Sequence, residues 1–191
     1  MPWSQNFDGL KQRILARCSE PRILEQLAGV YDLGAGAGLW RDAAEGLPVA
    51  ALPWTAVEIW RPYVAEYRLK ERYTEVRATD FRRIKYSRLS RQLFIFGDVL
   101  EHLERAHALD VLRRAARSGP TVVVMPFHPT TSEVQGPRGK NVHEAHRYVW
   151  HWEEWLMATA SAAPMRELIP PPGDGRNKGA VLYLHRPGAD A

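Results

Sequence analysis

Val30-Tyr31-Asp32-Leu33-Gly34-Ala35-Gly36-Ala37-Gly38 is the stretch whose reading decides the fold. A short apolar run ends in alternating glycines, and Leu39 to Gly46 can then form a helix. A strand that turns through glycines into a helix lets backbone approach a ligand closely, since glycine lacks a Cβ and the helix start offers free N–H groups. Dinucleotide folds use G-x-G-x-x-G/A at this turn. Here Gly34 and Gly36 are followed by Leu39 where the third small residue would fall. That departure argues against a dinucleotide.

Outward from the loop, strand and helix patterns alternate. Trp54 to Glu58 reads as a strand and Arg61 to Arg72 as a helix. Glu75 to Asp80 is the next strand candidate, and Gln92 to Phe96 is an apolar run suited to a strand covered on both faces. Val99 to Arg117 reads as an amphipathic helix stopped by Gly119-Pro120, and Thr121 to Met125 as a β-branched strand. A long polar loop follows from Pro126 to about His143. Trp152 to Ala160 is helical, and Met165 to Ile169 and Ala180 to His185 are closing strands. Before the loop, Phe7 to Ala28 has helical periodicity with a break near Ser19–Pro21, where Ser19 can cap a second helix. The alternation predicts an α/β, mostly parallel seven-stranded sheet with helices on both faces. The closing strands, joined without a helix, predict one antiparallel strand.

The chain has 191 residues and 45% hydrophobic content, which suits one domain over 1–191, with an N-terminal helical segment over 1–28. Cys18 is the one cysteine, so no intrachain disulfide or cysteine-based zinc site forms, and a reducing, cytoplasmic setting is expected. No signal-peptide pattern and no membrane-spanning apolar stretch is present, so no membrane partner is expected. The formal net charge is +4, with basic residues grouped at Arg82, Arg83, Lys85, Arg88 and Arg91 and again at Arg113, Arg114 and Arg117. These groups fit a solvated surface and equally a polyanionic partner such as nucleic acid.

The run from Tyr31 to Gly38 resembles the first motif of class I methyltransferases that use S-adenosylmethionine (SAM), an acid followed by G-x-G-x-G. The resemblance extends in order along nearly the whole chain and implies the Rossmann-like fold of that family. It implies that Asp32, Gly34, Gly36 and Gly38 form the cofactor loop, and that Glu58 takes the ribose hydroxyls. Asp80 then meets the adenine amino group, and Phe81 stacks on the base. Phe96-Gly97-Asp98-Val99-Leu100-Glu101-His102-Leu103 is similar to the fourth-strand motif of many small methyltransferases, with Asp98 on the cofactor side. The chemistry agrees. The ribose hydroxyls, adenine amine and ammonium of SAM are donors, and acids at successive strand ends supply acceptors along one sheet edge.

The acceptor side is expected over 126–150. On a helix, Asp98, Glu101 and His102 would share one face. His143 and His146 follow the fifth strand. Two carboxylates and two imidazoles suit a divalent cation such as Mg²⁺ or Mn²⁺. Asp98, Glu101, His102 and His146 resemble the metal site of the small-RNA 3′-terminal 2′-O-methyltransferases, and Tyr148, Trp150 and Glu154 continue that likeness. The first acid is aspartate where that family has glutamate, and the extra RNA-binding domains are absent. The Glu-His-Leu element also occurs in metal-free, quinone-type O-methyltransferases. Without a metal, His146, Glu101, His102 and His143, with His128, are candidates for acid–base work on a hydroxyl or amine. The acceptor is then an oxygen or nitrogen on a small molecule, with RNA methylation or a non-catalytic, nucleic-acid-binding role as alternatives. Trp54 and Trp155 are read as core. Trp40 and Trp150 fit either core or a pocket wall.

Overall fold

A computed structural model of the chain describes residues 8–127, 141–163, 165–169 and 178–184. His128 and most of the loop after the fifth strand lie outside the described residues. The elements in order are α1 (Asp8–Cys18), α2 (Pro21–Leu24), β1 (Gly29–Leu33), α3 (Leu39–Ala43), β2 (Trp54–Val57), α4 (Arg61–Glu66), α5 (Leu69–Arg72) and β3 (Glu75–Arg77). They continue with β4 (Gln92–Gly97), α6 (Arg105–Ser118), β5 (Thr121–Pro126), α7 (Trp152–Ala158), β6 (Met165–Ile169) and β7 (Lys178–Leu184).

The strands form one seven-stranded sheet in the order β3-β2-β1-β4-β5-β7-β6. The pairs from β3 through β5 are parallel, and β7 runs antiparallel to both β5 and β6. This is the expected mostly parallel sheet with one antiparallel strand. Successive residues of a strand point to opposite faces, and two buried clusters follow that alternation. Tyr31, Leu33, Phe94, Phe96, Val123 and Met125 pack with α6 and with Trp155 of α7. Val30, Leu93, Ile95, Val122 and Val124 pack with Ile14 and Leu15 of α1, Trp40 of α3 and Leu69 of α5. Helices therefore cover both faces. No helix among the described residues is long and apolar enough to cross a membrane.

Local departures have local causes. The helix expected over Arg61–Arg72 breaks in two at Arg68, whose φ is 51°. The second piece turns so that the Arg72 guanidinium reaches the carbonyls of Ala37 at 2.7 Å and Gly38 at 2.8 Å. The third strand stops at Arg77, and Asp80 instead caps a 3-10 turn by accepting from the Arg82 N–H at 2.8 Å. Ser19 does not cap α2. Glu20 holds that position, while the Ser19 hydroxyl donates to the Leu15 carbonyl at 2.8 Å.

The helix expected from Val99 begins only at Arg105. Leu100–His102 is a separate 3-10 turn, reached through Asp98 at a φ of 54°. The Glu101 carbonyl accepts the N–H of Arg147 at 2.8 Å and of Tyr148 at 3.2 Å. That carbonyl is thus occupied by distant backbone rather than by the next helical turn. Trp40 and Trp150 both belong to the core. A Cβ on Gly97 would lie 1.8 Å from the Trp40 indole nitrogen, so the glycine is what lets the ring pack on β4.

Candidate active site

The C-terminal ends of β1, β2, β3 and β4 carry the predicted cofactor residues to one edge of the sheet. Gly34, Gly36 and Gly38 all have positive φ, at 77°, 50° and 72°, which explains why glycines recur there. A Cβ on Gly34 would meet Val99 at 2.4 Å, whereas one on Gly36 would stand clear of all but the Gly34 carbonyl, 3.9 Å away. The Cα of Gly36 is therefore open to a ligand on the side a Cβ would fill. On the far side of the loop, Arg72 clamps the Ala37 and Gly38 carbonyls and pairs with Asp42.

Glu58 is buried at the end of β2. One carboxylate oxygen accepts from the Gly36 N–H at 2.8 Å and the other from the Trp60 N–H at 2.7 Å. Burial pushes its carboxyl above the usual range, and the two N–H groups only partly offset that. Each oxygen keeps a further lone pair for a ligand hydroxyl. Asp32 has a different environment. It is enclosed within the sheet and accepts from the Tyr73 hydroxyl at 2.6 Å. Burial pushes its carboxyl up to about 7, against the opposing pull of that hydrogen bond. Asp32 is thus held by Tyr73 just before the glycine turn.

Asp80 and Phe81 line a cleft of about 260 Å³ with Ile59, Val99, Leu103 and His102. Partial burial raises the Asp80 carboxyl, but hydrogen bonds from Arg82 outweigh it and hold it below the ordinary value. Arg82 also pairs with Asp80 through its guanidinium. Phe81 packs edge-on against Phe96, with ring centroids 5.8 Å apart. His107, Val142, His143 and Arg147 also line the cleft.

Beside the cleft, ligand atoms of Glu101, His102 and His146 all lie within 4.8 Å of one another. Asp98 stands outside this trio, and His143 lies across the cleft against Trp60, with ring centroids 6.2 Å apart. Glu101 and His102 do not share a helix face with Asp98, as the spacing suggested. The 3-10 turn presents Glu101 and His102, and hydrogen bonds to the Glu101 carbonyl bring in the segment that carries His146. The His102 Nδ1 lies 3.3 Å from the Ala145 carbonyl. Burial lowers the His102 pKa, partly offset by that contact, so the ring favours its neutral form. One carboxylate and two imidazoles form a donor set that suits a divalent cation.

Sequence reasoning missed several residues around this site. His107 lacked any motif, yet helical geometry in α6 brings it to the cleft. Trp60, Tyr63 and Arg147 were likewise unmarked. Tyr63 donates to the Glu144 carboxylate across 81 positions of chain, a contact that no local pattern announces.

No family model matches the chain, and no curated protein matches it by sequence. Solved structures do match its fold. The small RNA methyltransferase HEN1 superposes with a TM-score of 0.68 over 93% of this chain at 16% identity, and the chain spans 25% of HEN1. An O-methyltransferase family protein from Burkholderia thailandensis gives 0.61 over 95% of this chain and 58% of its own, at 14% identity. The N-terminal domain of EvdMO1, solved in the presence of S-adenosylhomocysteine (SAH) and D-fucose, gives 0.63 over 90% of this chain and 83% of its own, at 14% identity. The order of strands, the glycine turn and these superpositions agree: the chain has the fold of the class I SAM-dependent methyltransferases.

Proposed function

We propose that this protein transfers the methyl group of SAM to a hydroxyl acceptor held beside Glu101, His102 and His146. The convergence of those three side chains next to the cleft carries the reading. Gly36, open on the side a Cβ would fill, and Glu58, with its remaining lone pairs, suit the cofactor's amino-acid and ribose portions. Asp80, Phe81, Ile59 and Val99 suit its adenine. When bound there, SAM supplies a methyl carbon on a positively charged sulfur.

An acceptor oxygen held in line with that carbon would take the methyl group as the carbon–sulfur bond breaks, leaving SAH. The hydroxyl proton passes to an imidazole of the trio. Holding oxygen and methyl in line supplies much of the rate in such a displacement. Alternatively, a divalent cation held by Glu101, His102 and His146 would lower the acceptor's pKa and fix its position, the imidazoles then serving as ligands and the proton leaving to solvent. Burial keeps His102 neutral and so able to serve either as ligand or as base.

An RNA 2′-hydroxyl is the second reading of the acceptor. It is favoured by the superposition on HEN1 and by the likeness of the segment from His146 to Glu154. The basic residues Arg83, Lys85 and Arg88 follow the cleft residue Arg82 in sequence, which suits a polyanion.

The test is methyl transfer from labelled SAM to a panel of small hydroxyl and amine compounds, nucleotides and RNA oligomers, with and without chelator. Turnover abolished by chelator and restored by Mg²⁺ or Mn²⁺ would put a cation on the trio, and turnover indifferent to chelator would leave an imidazole as the base. His146→Ala should lower turnover by about 10²–10⁴-fold, the range for loss of an acid–base group, with SAH affinity nearly unchanged. Tight NADH binding without any response to SAH would overturn the assignment.

A further inference from the structure

Residues 141–148 cross the cleft as a strap anchored at both ends. At the β2 end, the Tyr63 hydroxyl of α4 donates to Glu144. There too, His143 rests against Trp60, and Asn141, itself buried, accepts the His143 N–H at 3.0 Å. At the β4 end, the N–H groups of Arg147 and Tyr148 donate to the Glu101 carbonyl, and Ala145 meets His102. The sheet places β1 between β2 and β4. A segment tied to the C-terminal ends of both neighbours must pass over the end of β1, where the glycine turn lies. Consistent with that path, Val142, His143 and Arg147 line the same cleft as Ile59, Asp80 and Phe81.

The β2 anchor is also wired to the cofactor loop. The Glu58 carboxylate joins the Gly36 N–H to the Trp60 N–H, and Trp60 carries His143. We propose that the Tyr63–Glu144 contact is a latch that holds this strap down, making Tyr63 a positioning residue for His146 and making latch opening the step that admits SAM and releases SAH. The inference rests on the cofactor reading of the cleft given above. Burial and the Glu144 carboxylate both push the Tyr63 phenol up, to about 12. The hydroxyl therefore stays protonated and donating throughout the physiological range.

Tyr63→Phe removes the donor and keeps the ring that packs on Tyr67. Loss of a hydrogen bond to a charged group corresponds to about tenfold or more in an equilibrium. Two measurements on the full chain decide the matter. In the free protein, amide exchange across 141–148 should quicken about tenfold in Tyr63→Phe, while exchange in α6 stays as in wild type. With SAH bound, stopped-flow displacement should show about tenfold faster release. Glu144→Gln, which retains an acceptor, should fall between, and the double variant should do no more than Tyr63→Phe alone. Where wild type binds Mn²⁺, Tyr63→Phe should also weaken it. Unchanged exchange over 141–148 together with an unchanged SAH release rate overturns the latch. A wild-type chain that binds no SAH overturns instead the cofactor reading of the cleft, and the exchange measurement still decides whether Tyr63 holds the strap.

Discussion

Glu58 shows how one side chain can serve structure and ligand together. Its carboxylate holds the Gly36 and Trp60 N–H groups, so replacing it by alanine strands two donors as well as removing the proposed ribose acceptor. Glu58→Ala should lower stability by about 1–3 kcal/mol, the cost of leaving partners unsatisfied. SAH affinity should fall at the same time, both changes being measurable by denaturant unfolding and calorimetric titration. Asp32 makes a different prediction. Its folded pKa, about 7, lies above the ordinary 3.8, so between those values the folded protein keeps a proton that the unfolded chain has released. Unfolding free energy then falls as pH rises from about 4 to about 7 and levels off above that. Asp32→Asn cannot titrate and should lack this component. Parallel pH profiles for the two proteins would show that Asp32 is not its source.

At the scale of elements, the glycine turn and the turn after β4 are packed as a unit. Gly34 at φ 77° leaves no space for a Cβ, because Val99 from the second turn fills it. Gly34→Ala should therefore cost roughly 1–3 kcal/mol from backbone strain and overpacking and weaken SAH binding. Adding Val99→Ala should restore part of that loss by removing the steric conflict, with the positive φ accounting for the remainder. Equal stabilities of the single and double variants would show that Val99 does not confine the turn. The same packing explains why the 3-10 turn at 100–102 is separate from α6. The Glu101 carbonyl is committed to Arg147 and Tyr148, so the helix starts after it.

For the whole molecule, the sheet is the shared wall of two cores. Leu93 and Phe94 are adjacent in β4 yet belong to different clusters on opposite faces. Truncating either to alanine should cost about 2–5 kcal/mol. Because both faces depend on the same strand ladder, each variant should lower the midpoint of one transition seen alike by far-UV and near-UV circular dichroism. Two separated transitions in either variant would show that the faces unfold independently. Across the sheet, Arg17 of α1 reaches Glu167 of β6 at 2.8 Å, tying the N-terminal helix to the far edge.

What could be read from the sequence alone was the sheet and its glycine turn. Alternating burial, apolar runs and the glycines of the turn are local signals, since period, propensity and backbone freedom act within a few residues. Glu58 and Asp80 were picked out by the family resemblance; Glu58 directly follows β2, whereas Asp80 lies beyond the end of β3 on a 3-10 turn. Only the tertiary structure decided how Glu101, His102 and His146 meet. The helix-face argument grouped Asp98 with Glu101 and His102; the latter two lie instead on a 3-10 turn, and the trio they form with His146 does not include Asp98. The actual cause is a backbone contact between Glu101 and Arg147, 46 positions apart. The roles of Tyr63, Trp60 and His107 were illegible for the same reason. Their partners are chosen by which elements the sheet order places side by side, and nothing in their own neighbourhood of sequence depends on that order.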